Sequence, residues 1–457
     1  MSSVVVRFVG GTLEILNWPP GAPNPLPGRC HHDPRTRSLR SRACDYAALL
    51  LAFRELGISF VDEAKKYEEI ELNLQSQHQS RSYQKEALSA WKKARGRGVI
   101  VLPTGAGKTH VAVFAISQTK RSTLVVAPTL ELVRQWYDLL RASFNRPIGL
   151  MGGGDYDIQD ITVSTYDSAY MHIEHLGNRF GLIVFDECHH LPSPSFMLIA
   201  TQSIAPFRLG LTATPERSDG RHELLEDLIG PIVYRREISE LAGDYLADYQ
   251  TIRISIPLSK EERKEYEEAR AIYLQFLAKH GIRPHQPDGW IQFIRLASRT
   301  VEGQKAMAAY RRQRELAFCA PAKLQVVQRL LEEHRKERTL IFTEDNATCY
   351  AISRALLIPA ITHQSKVRER SEILADFARG VYNAIVTSKV LNEGVDVPEA
   401  SVAIVVSGSG SVREHVQRLG RILRKREGKF ALLYELVTAR TMEASTSERR
   451  RAHEAYH

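Results

Sequence analysis

Three things are scarce in this sequence: cysteine, long hydrophobic runs, and an apolar segment at the start of the chain. Only 5 cysteines occur among 457 residues, and none forms a Cys-x-x-Cys pair, which argues for free thiols and against a disulfide framework. The longest apolar stretch, from Tyr46 to Phe53, is far too short to span a bilayer. No apolar core follows a basic start. We therefore expect no signal peptide, no membrane partner and a cytoplasmic location, associated with the nucleoid if the chain is prokaryotic.

The composition is that of a globular protein with an excess of basic residues. Hydrophobic residues make up 43% and charged residues 25%, which argues against wholesale disorder and against a bundle of membrane helices. At about 150 residues per domain, the length suggests about three domains. Lysine and arginine total 62 against 53 for aspartate and glutamate, a formal charge of +9. This excess permits a polyanionic partner such as nucleic acid, but a basic enzyme without such a partner could carry it too.

The N-terminal residues predict a small module of their own. Residues 4–9 and 12–16 read as strands on either side of a Gly-Gly pair, which is a strong hairpin signal. Residues 19–40 are rich in Pro, Gly, Arg and His and predict a loop. The apolar spacing from Ala47 to Leu56 predicts a helix, and the polar stretch 75–82 predicts a linker.

From about residue 98, short β-branched apolar runs alternate with amphipathic helical segments. Uninterrupted apolar strands separated by helices are typical of a parallel sheet that is covered on both faces. The first set of runs comprises Val99 to Leu102, Thr123 to Ala127, Ile161 to Ser164, Leu182 to Phe185 and Leu209 to Thr212. The second set comprises Thr339 to Phe342, Ala384 to Thr387, Val402 to Val406 and Ala431 to Leu436. We therefore expect two α/β domains.

Residues 258–318, between the two sets, lack a strand-like run and are dense in Glu, Lys and Arg. Tyr266, Tyr273 and Phe276 stand at helical spacing, which predicts a helical insertion. Two interpretations stay open. The first is an ordinary packed pair of helices, which the charge runs favour, and the second is a mobile element that grips a ligand.

A phosphate-binding loop is predicted over residues 102–109, Leu-Pro-Thr-Gly-Ala-Gly-Lys-Thr, because they follow an apolar strand and open a helical segment. Gly105 and Gly107 allow backbone N–H groups to turn inward around phosphate oxygens. Lys108 supplies a cation, and Thr109 is a candidate ligand of Mg²⁺. Leu102 replaces the first glycine of the general pattern.

An acidic pair ends another apolar strand, where Leu182 to Phe185 runs directly into Asp186-Glu187-Cys188-His189. Asp186 suits Mg²⁺ coordination, and Glu187 suits polarising the attacking water of a nucleotide hydrolase. The alternative is an N-cap of the next helix, which needs only one carboxylate.

These elements and the segments after them resemble the motifs of superfamily 2 helicases. Asp186 to His189 is similar to the DExH form of motif II, and Thr212-Ala213-Thr214 is similar to motif III. The other similar segments are Ala127 to Leu130 (motif Ia), Ser164 to Asp167 (motif Ib), Leu391 to Pro398 (motif V) and Gln417 to Arg424 (motif VI). Their order and spacing cover residues 81–430.

Four further segments are Arg81 to Gln84, Gly210 to Pro215, Asp219 to Glu223 and Ser407 to Ser411. In these segments the chain resembles, more narrowly, the XPB family in its short archaeal or bacterial form. The resemblance implies an α/β fold with two RecA-like parallel-sheet domains, a small N-terminal α+β domain and a helical thumb insertion. The expected boundaries are 1–75 for a damage-recognition-like domain, 76–245 for the first RecA-like domain, 246–320 for the thumb and 321–457 for the second RecA-like domain. One departure stands out: the family's Arg-Glu-Asp element, with its proposed strand-separating role, is Arg217-Ser218-Asp219 here.

The resemblance also implies ATP and Mg²⁺ as cofactors and assigns roles to single residues. Gln84 would read the adenine edge, and His189 would couple the nucleotide to motif III. The implied catalytic residues are Lys108, Asp186, Glu187, His189 and the two arginine fingers Arg421 and Arg424. The implied nucleotide contacts are Arg81, Gln84, Thr104, Gly105, Ala106, Gly107, Lys108, Thr109, Gly394 and Asp396, with Thr109 and Asp186 as the Mg²⁺ ligands. The implied nucleic-acid contacts, mostly to phosphates and with little sequence preference, are Pro128, Thr129, Thr165, Arg217, Asp219, Thr387 and Ser388.

The function implied by the resemblance is an ATP-driven DNA helicase or double-strand translocase that acts in DNA repair or transcription-linked DNA opening. One rival is a DExH RNA helicase or the motor of a restriction system, although a restriction motor normally brings nuclease or partner domains, for which residues 430–457 leave no room. The other rival is a nucleotide-gated scaffold that opens DNA by binding. Archaeal relatives pair with a small nuclease, so a nuclease partner is expected by resemblance alone.

Overall fold

A computed structural model of the chain describes residues 3–75, 79–217, 219–284, 286, 288–388, 400–408, 420, 422–423 and 429–451. The chain divides into two compact units, residues 1–237 and residues 238–457. Among the described residues, no helix has the length and apolar content that crossing a bilayer requires.

The first unit begins with a five-stranded sheet and one helix. Its strands are β1 (Val4–Val9), β2 (Thr12–Leu16), β3 (Cys30–Asp33), β4 (Ser38–Arg42) and β5 (Phe60–Asp62), in the spatial order β3-β4-β2-β1-β5. Strands β1 and β2 form the predicted antiparallel hairpin. Helix α1 (Tyr46–Glu55) buries Leu49 and Phe53 in one apolar cluster with Val6 and Ile15. This cluster is the core of the N-terminal module.

The predicted loop over residues 19–40 is wrong in its second half. Strands β3 and β4 pair antiparallel with each other, and β4 pairs with β2. The composition hid β3 because His31 and His32 in its middle are exposed, while only Cys30 and Asp33 at its ends are buried. Such a strand forms because the neighbouring strand offers backbone hydrogen bonds, which composition does not report.

The rest of the first unit is an α/β domain built on an eight-stranded sheet. Its strands are β6 (Arg97–Val101), β7 (Thr123–Ala127), β8 (Gly149–Gly152), β9 (Asp155–Asp157), β10 (Ile161–Thr165), β11 (Leu182–Asp186), β12 (Phe207–Thr212) and β13 (Ile232–Arg235). The spatial order is β13-β6-β12-β11-β7-β10-β8-β9, and every neighbouring pair is parallel except β8 with β9. The helices are α2 (Ser82–Lys93), α3 (Lys108–Thr119), α4 (Leu130–Phe144), α5 (Tyr166–Leu176), α6 (Met197–Thr201) and α7 (Leu224–Leu228).

The five strands predicted from apolar runs in this domain are confirmed. Strands β7, β10 and β11 are buried along their whole length, as expected for a sheet covered on both faces. Because these strands are parallel, the residues that follow them emerge at one edge of the sheet. Strands β8, β9 and β13 were missed, since they are rich in glycine or are exposed and lack a continuous apolar run.

The N-terminal module packs directly against this α/β domain. Ile204 belongs to the same apolar cluster as the module's own core. The Asn178 side-chain amide donates to the main-chain oxygen of Ala64 at 2.8 Å, and the Lys66 N–H donates to the Asn178 oxygen at 3.1 Å. A Cβ atom added at Gly11 would lie 2.8 Å from the Gln202 side chain, so the contact requires glycine there.

The second unit combines a six-stranded sheet with a helical arm. Its strands are β14 (Asp248–Ile256), β15 (Thr339–Phe342), β16 (Ala360–Ile361), β17 (Ala384–Thr387), β18 (Val402–Val405) and β19 (Phe430–Thr438), all parallel, in the order β14-β19-β18-β15-β17-β16. Its helices are α8 (Ile238–Leu241), α9 (Lys260–Lys279), α10 (Gly289–Ala297), α11 (Val301–Phe318), α12 (Pro321–Glu333), α13 (Asn346–Leu356), α14 (Val367–Arg379) and α15 (Met442–Arg451).

The predicted helical insertion is confirmed as α9, α10 and α11, which form the arm. Phe276, Phe293 and Ala306, one from each helix, are buried in a single cluster. Residues 248–256 fall within the predicted bounds of this insertion, but the structure pairs them with β19 as an edge strand of the second sheet. That strand alternates exposed and partly buried residues, so a search for continuous apolar runs passed over it. The domain boundaries themselves stay a prediction.

Candidate active site

The predicted phosphate loop connects β6 to α3. Gly105 has a φ of +86° and Gly107, the N-cap of α3, has a φ of +77°, a region that glycine occupies without steric cost. Lys108 is buried, and its Nζ donates to the main-chain oxygen of Leu102 at 3.1 Å. Because any residue supplies that oxygen, leucine serves as well as the glycine of the general pattern for this contact.

The helix before the loop holds it from one side. The Gln84 side-chain amide donates to the main-chain oxygens of Gly107 at 3.2 Å and Ala106 at 3.4 Å, and its Oε1 accepts from the Arg81 N–H at 3.0 Å. The Tyr83 hydroxyl also donates to the Ala106 oxygen, at 2.5 Å. Gln84 is only 1% exposed. The structure therefore assigns this glutamine to clasping the loop, and its contact with adenine stays a prediction.

The acidic pair stands at the end of β11. In the sheet, β11 lies beside β12, and β12 lies beside β6, the strand that leads into the phosphate loop. Asp186 accepts two hydrogen bonds on its carboxylate, at 3.0 Å from the Glu187 N–H and at 2.8 Å from Trp136 Nε1. Its main-chain oxygen accepts from the Tyr166 hydroxyl at 3.0 Å. Neither aromatic residue is predicted from the sequence, because their position in amphipathic helices indicates only packing.

The pKa of Asp186 is raised to about 6, chiefly by burial and then by the neighbouring Glu187 carboxylate, while the Trp136 hydrogen bond and Lys108 act in the opposite direction. Two other oxygens at this edge are buried without a hydrogen-bond partner among the described residues: Thr104 Oγ1 and Glu187 Oε2. Crowded, buried carboxylate and hydroxyl oxygens are the surroundings that a divalent cation or a polar ligand stabilises. The donor set therefore fits Mg²⁺.

His189 links this edge to two further elements. Its Nδ1 lies 3.0 Å from Thr212 Oγ1, the first residue of the motif III segment. Its main-chain oxygen accepts from Arg217 Nη1 at 2.7 Å, and Arg217 also donates to both carboxylate oxygens of Asp219, at 2.9 and 2.7 Å. This pairing with Arg217 holds the pKa of Asp219 well below its usual range.

The predicted nucleic-acid contacts of the first unit lie at the same sheet edge. Thr129 and Thr165 are the N-caps of α4 and α5, and their hydroxyls accept from the N–H groups of Leu132 at 3.3 Å and Ser168 at 3.1 Å. Pro128 lies at the end of β7, whose last residue pairs with Thr165. The two threonine hydroxyls are thus occupied as helix caps, and the neighbouring N–H groups at the helix starts are the donors left to face a phosphate.

A glycine turn over residues 152–154, not predicted from the sequence, lies against these caps. A Cβ atom added at Gly152 would lie 3.1 Å from the Thr165 side chain, and one added at Gly153 would lie 3.1 Å from Leu130. Both residues and Gly154 have positive φ angles, at +142°, +66° and +102°. The run of three consecutive glycines is the sequence signal that could have predicted this turn.

The other predicted site residues either lie outside the described residues or are buried or paired. Gly394, Asp396, Arg421 and Arg424 lie outside the described residues, as does Ser218. Thr387 is fully buried, and its hydroxyl donates to the Ser388 oxygen at 3.1 Å, so the structure argues against a side-chain contact with DNA. Ser388 is 3% exposed. The ion pair between Arg217 and Asp219 likewise argues against the predicted phosphate contact of Arg217, because Asp219 already offsets the charge of the arginine.

Comparison with known proteins assigns the chain. Residues 6–64 match the Xeroderma pigmentosum group B helicase damage recognition domain, and residues 302–454 match the ERCC3/RAD25/XPB C-terminal helicase domain. Residues 77–217 match the family described as type III restriction enzyme, res subunit. The chain is 42% identical over 412 residues to the DNA 3'-5' translocase XPB2 of Sulfurisphaera tokodaii, which covers 89% of this chain and 93% of that protein.

The chain belongs to the XPB family of helicases. A second XPB relative, the DNA 3'-5' helicase XPB of Mycobacterium tuberculosis, is 33% identical over 81% of the chain, which spans 63% of that protein. The yeast XPB/SSL2 subunit of general transcription and DNA repair factor IIH is 28% identical, and the chain spans 44% of it. The restriction-subunit match lies between two XPB-specific matches, which favours an XPB motor over a restriction motor.

Among solved structures, the Hef helicase domain of Pyrococcus furiosus resembles this chain with a TM-score of 0.56 and 21% identity, over 81% of this chain and 98% of that one. At this identity the likeness supports the helicase fold alone. The α/β fold class with its two parallel sheets is confirmed, and family membership implies that the chain uses a nucleotide.

Proposed function

We propose that this XPB-family chain is an ATP-driven DNA helicase or double-strand DNA translocase. The observation that supports this most directly is the shared sheet edge, at which Lys108 and Glu187 both act electrostatically on Asp186 and His189 contacts Thr212 at 3.0 Å. The names of the two prokaryotic relatives, a translocase and a helicase acting on DNA, support the choice of substrate. Action in DNA repair or transcription-linked DNA opening belongs to the same proposal.

The chemistry that these residues can perform is nucleotide hydrolysis. Lys108, together with the N–H groups of the loop from Thr104 to Thr109, would neutralise and orient the phosphates of ATP. Glu187 would orient the attacking water and accept its proton. Thr109 and Asp186 would hold Mg²⁺, which offsets phosphate charge when it is bound.

Seven further residues are proposed from family resemblance. Arg421 and Arg424 would stabilise the charge of the transferring phosphoryl group, and Gly394 and Asp396 would contact the nucleotide. Arg81, Gln84 and Ala106 would complete the nucleotide contacts.

DNA contact is proposed to run through phosphates at the starts of α4 and α5. Pro128, Thr129 and Thr165 mark these helix starts, and the glycine turn 152–154 lies against them. A nuclease partner and an association with the nucleoid stay predictions.

The experiment that tests the proposal measures ATP turnover with duplex DNA, single-stranded DNA and RNA side by side at one ionic strength. We expect duplex DNA to stimulate turnover most. Stimulation by RNA alone would favour the DExH RNA helicase. DNA binding without any turnover, in wild-type protein with Mg²⁺ present, would favour the scaffold. Lys93→Ala, a change at an exposed position on α2, serves as the control for purification and folding.

A further inference from the structure

Two buried aromatic side chains from different helices hold Asp186. Trp136 of α4 donates its indole N–H to Asp186 Oδ2 at 2.8 Å, and Tyr166 of α5 donates its hydroxyl to the Asp186 main-chain oxygen at 3.0 Å. Each aromatic residue is 1% exposed. Because neither donor reaches water, both bonds are specific contacts with this one residue.

Both helices start at the face proposed to meet DNA. Tyr166 directly follows Thr165, the N-cap of α5. Trp136 lies seven positions after Thr129, the N-cap of α4, which is about 10 Å along a helix axis at a rise of 1.5 Å per residue. A displacement at either helix start would therefore be felt at Asp186 through one rigid element.

We propose that Trp136 and Tyr166 are positioning residues that couple DNA at the starts of α4 and α5 to nucleotide at Asp186. Each ligand then alters the affinity of the other, because both bias the same placement of the Asp186 carboxylate. The proposal rests on the proposed ATP-driven DNA function.

The hydrogen bonds to Asp186, rather than the packing of the two rings, can transmit a displacement of α4 or α5 to the Asp186 carboxylate. A bond between a neutral donor and a carboxylate is short and stronger than a neutral pair, and it weakens steeply when its geometry changes. The second carboxylate oxygen is held by the Glu187 N–H, which belongs to the same strand end. Trp136 is thus the contact that ties the carboxylate to a separate helix.

The test replaces Trp136→Phe and Tyr166→Phe, singly and together, so that each ring stays and its donor is removed. The affinity of a labelled duplex is measured by fluorescence anisotropy with and without a non-hydrolysable ATP analogue and Mg²⁺. We expect the analogue to change DNA affinity in the wild-type protein by about fivefold or more. We call the DNA affinity with the analogue divided by the DNA affinity without it the affinity ratio. In the double variant we expect the affinity ratio to fall to within about twofold of one. The DNA affinity without nucleotide should stay within about threefold of wild type.

Trp91→Phe is the matched control. The Trp91 indole is also buried in the first unit and donates to a main-chain oxygen, that of Arg208, at 2.9 Å, away from Asp186. We expect this variant to keep the wild-type ratio. An equal loss in Trp91→Phe, or a wild-type ratio in the double variant, would overturn the proposal.

Melting curves accompany each variant. If Trp136→Phe does not fold, Tyr166→Phe alone, which removes a single oxygen atom, tests the proposal. Its DNA affinity with the analogue divided by that without the analogue should then be closer to one than in the wild-type protein. If the wild-type protein itself neither binds DNA nor turns over ATP in its presence, the proposed function fails instead.

Discussion

At the scale of single residues, Glu187 at the end of β11 combines a strained backbone with a buried carboxylate oxygen. Glu187 has a φ of +45°, a left-handed conformation that costs a non-glycine residue about 1–3 kcal/mol. Its Oε2 is buried 3.4 Å from His189 Nδ1, without a hydrogen bond among the described residues. Strain and buried oxygens of this kind persist where the surrounding structure holds a residue in place for its chemistry.

Lys108→Ala and Glu187→Gln should each reduce ATP turnover by about several powers of ten, because one removes the phosphate cation and the other the water-orienting carboxylate. Glutamine keeps the size of glutamate, so Glu187→Gln tests charge and basicity alone. Turnover is measured at saturating ATP and DNA. Glu174→Gln, on the exposed surface of α5, is the control, and near wild-type turnover in either site variant would show that the catalytic assignment is mistaken.

Thr212→Val should separate ATP turnover from strand separation. The Thr212 hydroxyl contacts His189 Nδ1 at 3.0 Å and the Thr214 main chain at 3.2 Å, and valine keeps the shape but removes these bonds. We expect the amount of duplex unwound per ATP hydrolysed to fall about two- to tenfold, in line with the loss of a buried hydrogen bond. Unwinding and turnover that fall in equal proportion would argue against a coupling role for this contact.

At the scale of elements, Arg217 connects Asp219 to the main-chain oxygen of His189, the residue after the acidic pair's cysteine, by hydrogen bonds. Because the charges of Arg217 and Asp219 offset each other, the net charge of the Arg217-Ser218-Asp219 segment depends on residue 218, which lies outside the described residues. Serine adds none, whereas the glutamate of the family pattern would add a negative charge able to repel DNA phosphates.

Ser218→Glu should therefore improve unwinding of forked duplexes more than it raises ATP turnover, with the wild-type protein a poor unwinder that DNA stimulates well. A strand-displacement assay at matched ATPase rates measures the difference. Ser218→Gln adds a similar volume without charge and is the control. Equal unwinding by all three proteins would mean that the identity of residue 218 has no mechanical effect.

A buried ion pair joins two helices of the second unit. Lys323 of α12 donates to Glu443 of α15 at 2.7 Å and to the Val406 oxygen at 2.6 Å, and both charged side chains are 0% exposed. Lys323→Met should destabilise the protein by about 3–5 kcal/mol, because it leaves a buried carboxylate without its counter-charge. Denaturant unfolding measures this change. The double variant Lys323→Met/Glu443→Leu should recover most of the loss, and failure to recover it would show that the helices need the charges themselves.

At the scale of the whole molecule, the formal charge of +9 acts on association more than on folding. DNA affinity should fall steeply between low and high salt and depend little on base sequence, since the proposed contacts are with phosphates. Titrations of several unrelated duplexes over a range of salt concentrations measure both properties. A flat salt response together with a strong preference for one sequence would contradict phosphate-dominated binding.

Local sequence patterns determined most strands of the two α/β sheets and two parts of the candidate site. The apolar β-branched runs predicted nine strands of the two α/β sheets because a strand buried on both faces must be apolar throughout, and this rule is written residue by residue. The phosphate loop and the Asp186-Glu187 pair were likewise predictable, since each combines special residues at fixed spacing directly after such a strand. Strands β3, β9 and β14 were not predictable in this way, because their stability comes from a neighbouring strand rather than from their own side chains.

Only the tertiary structure decided which distant residues meet at the site. Trp136 and Tyr166 read as ordinary members of amphipathic helices, and their hydrogen bonds to Asp186 span 50 and 20 positions of the chain. The same holds for Arg217, for which the family resemblance implied a nucleic-acid contact, whereas the structure pairs it with Asp219 and with the main-chain oxygen of His189. The physical reason is that sequence spacing determines which face of an element a side chain occupies, whereas the packing of elements determines which partner that face meets.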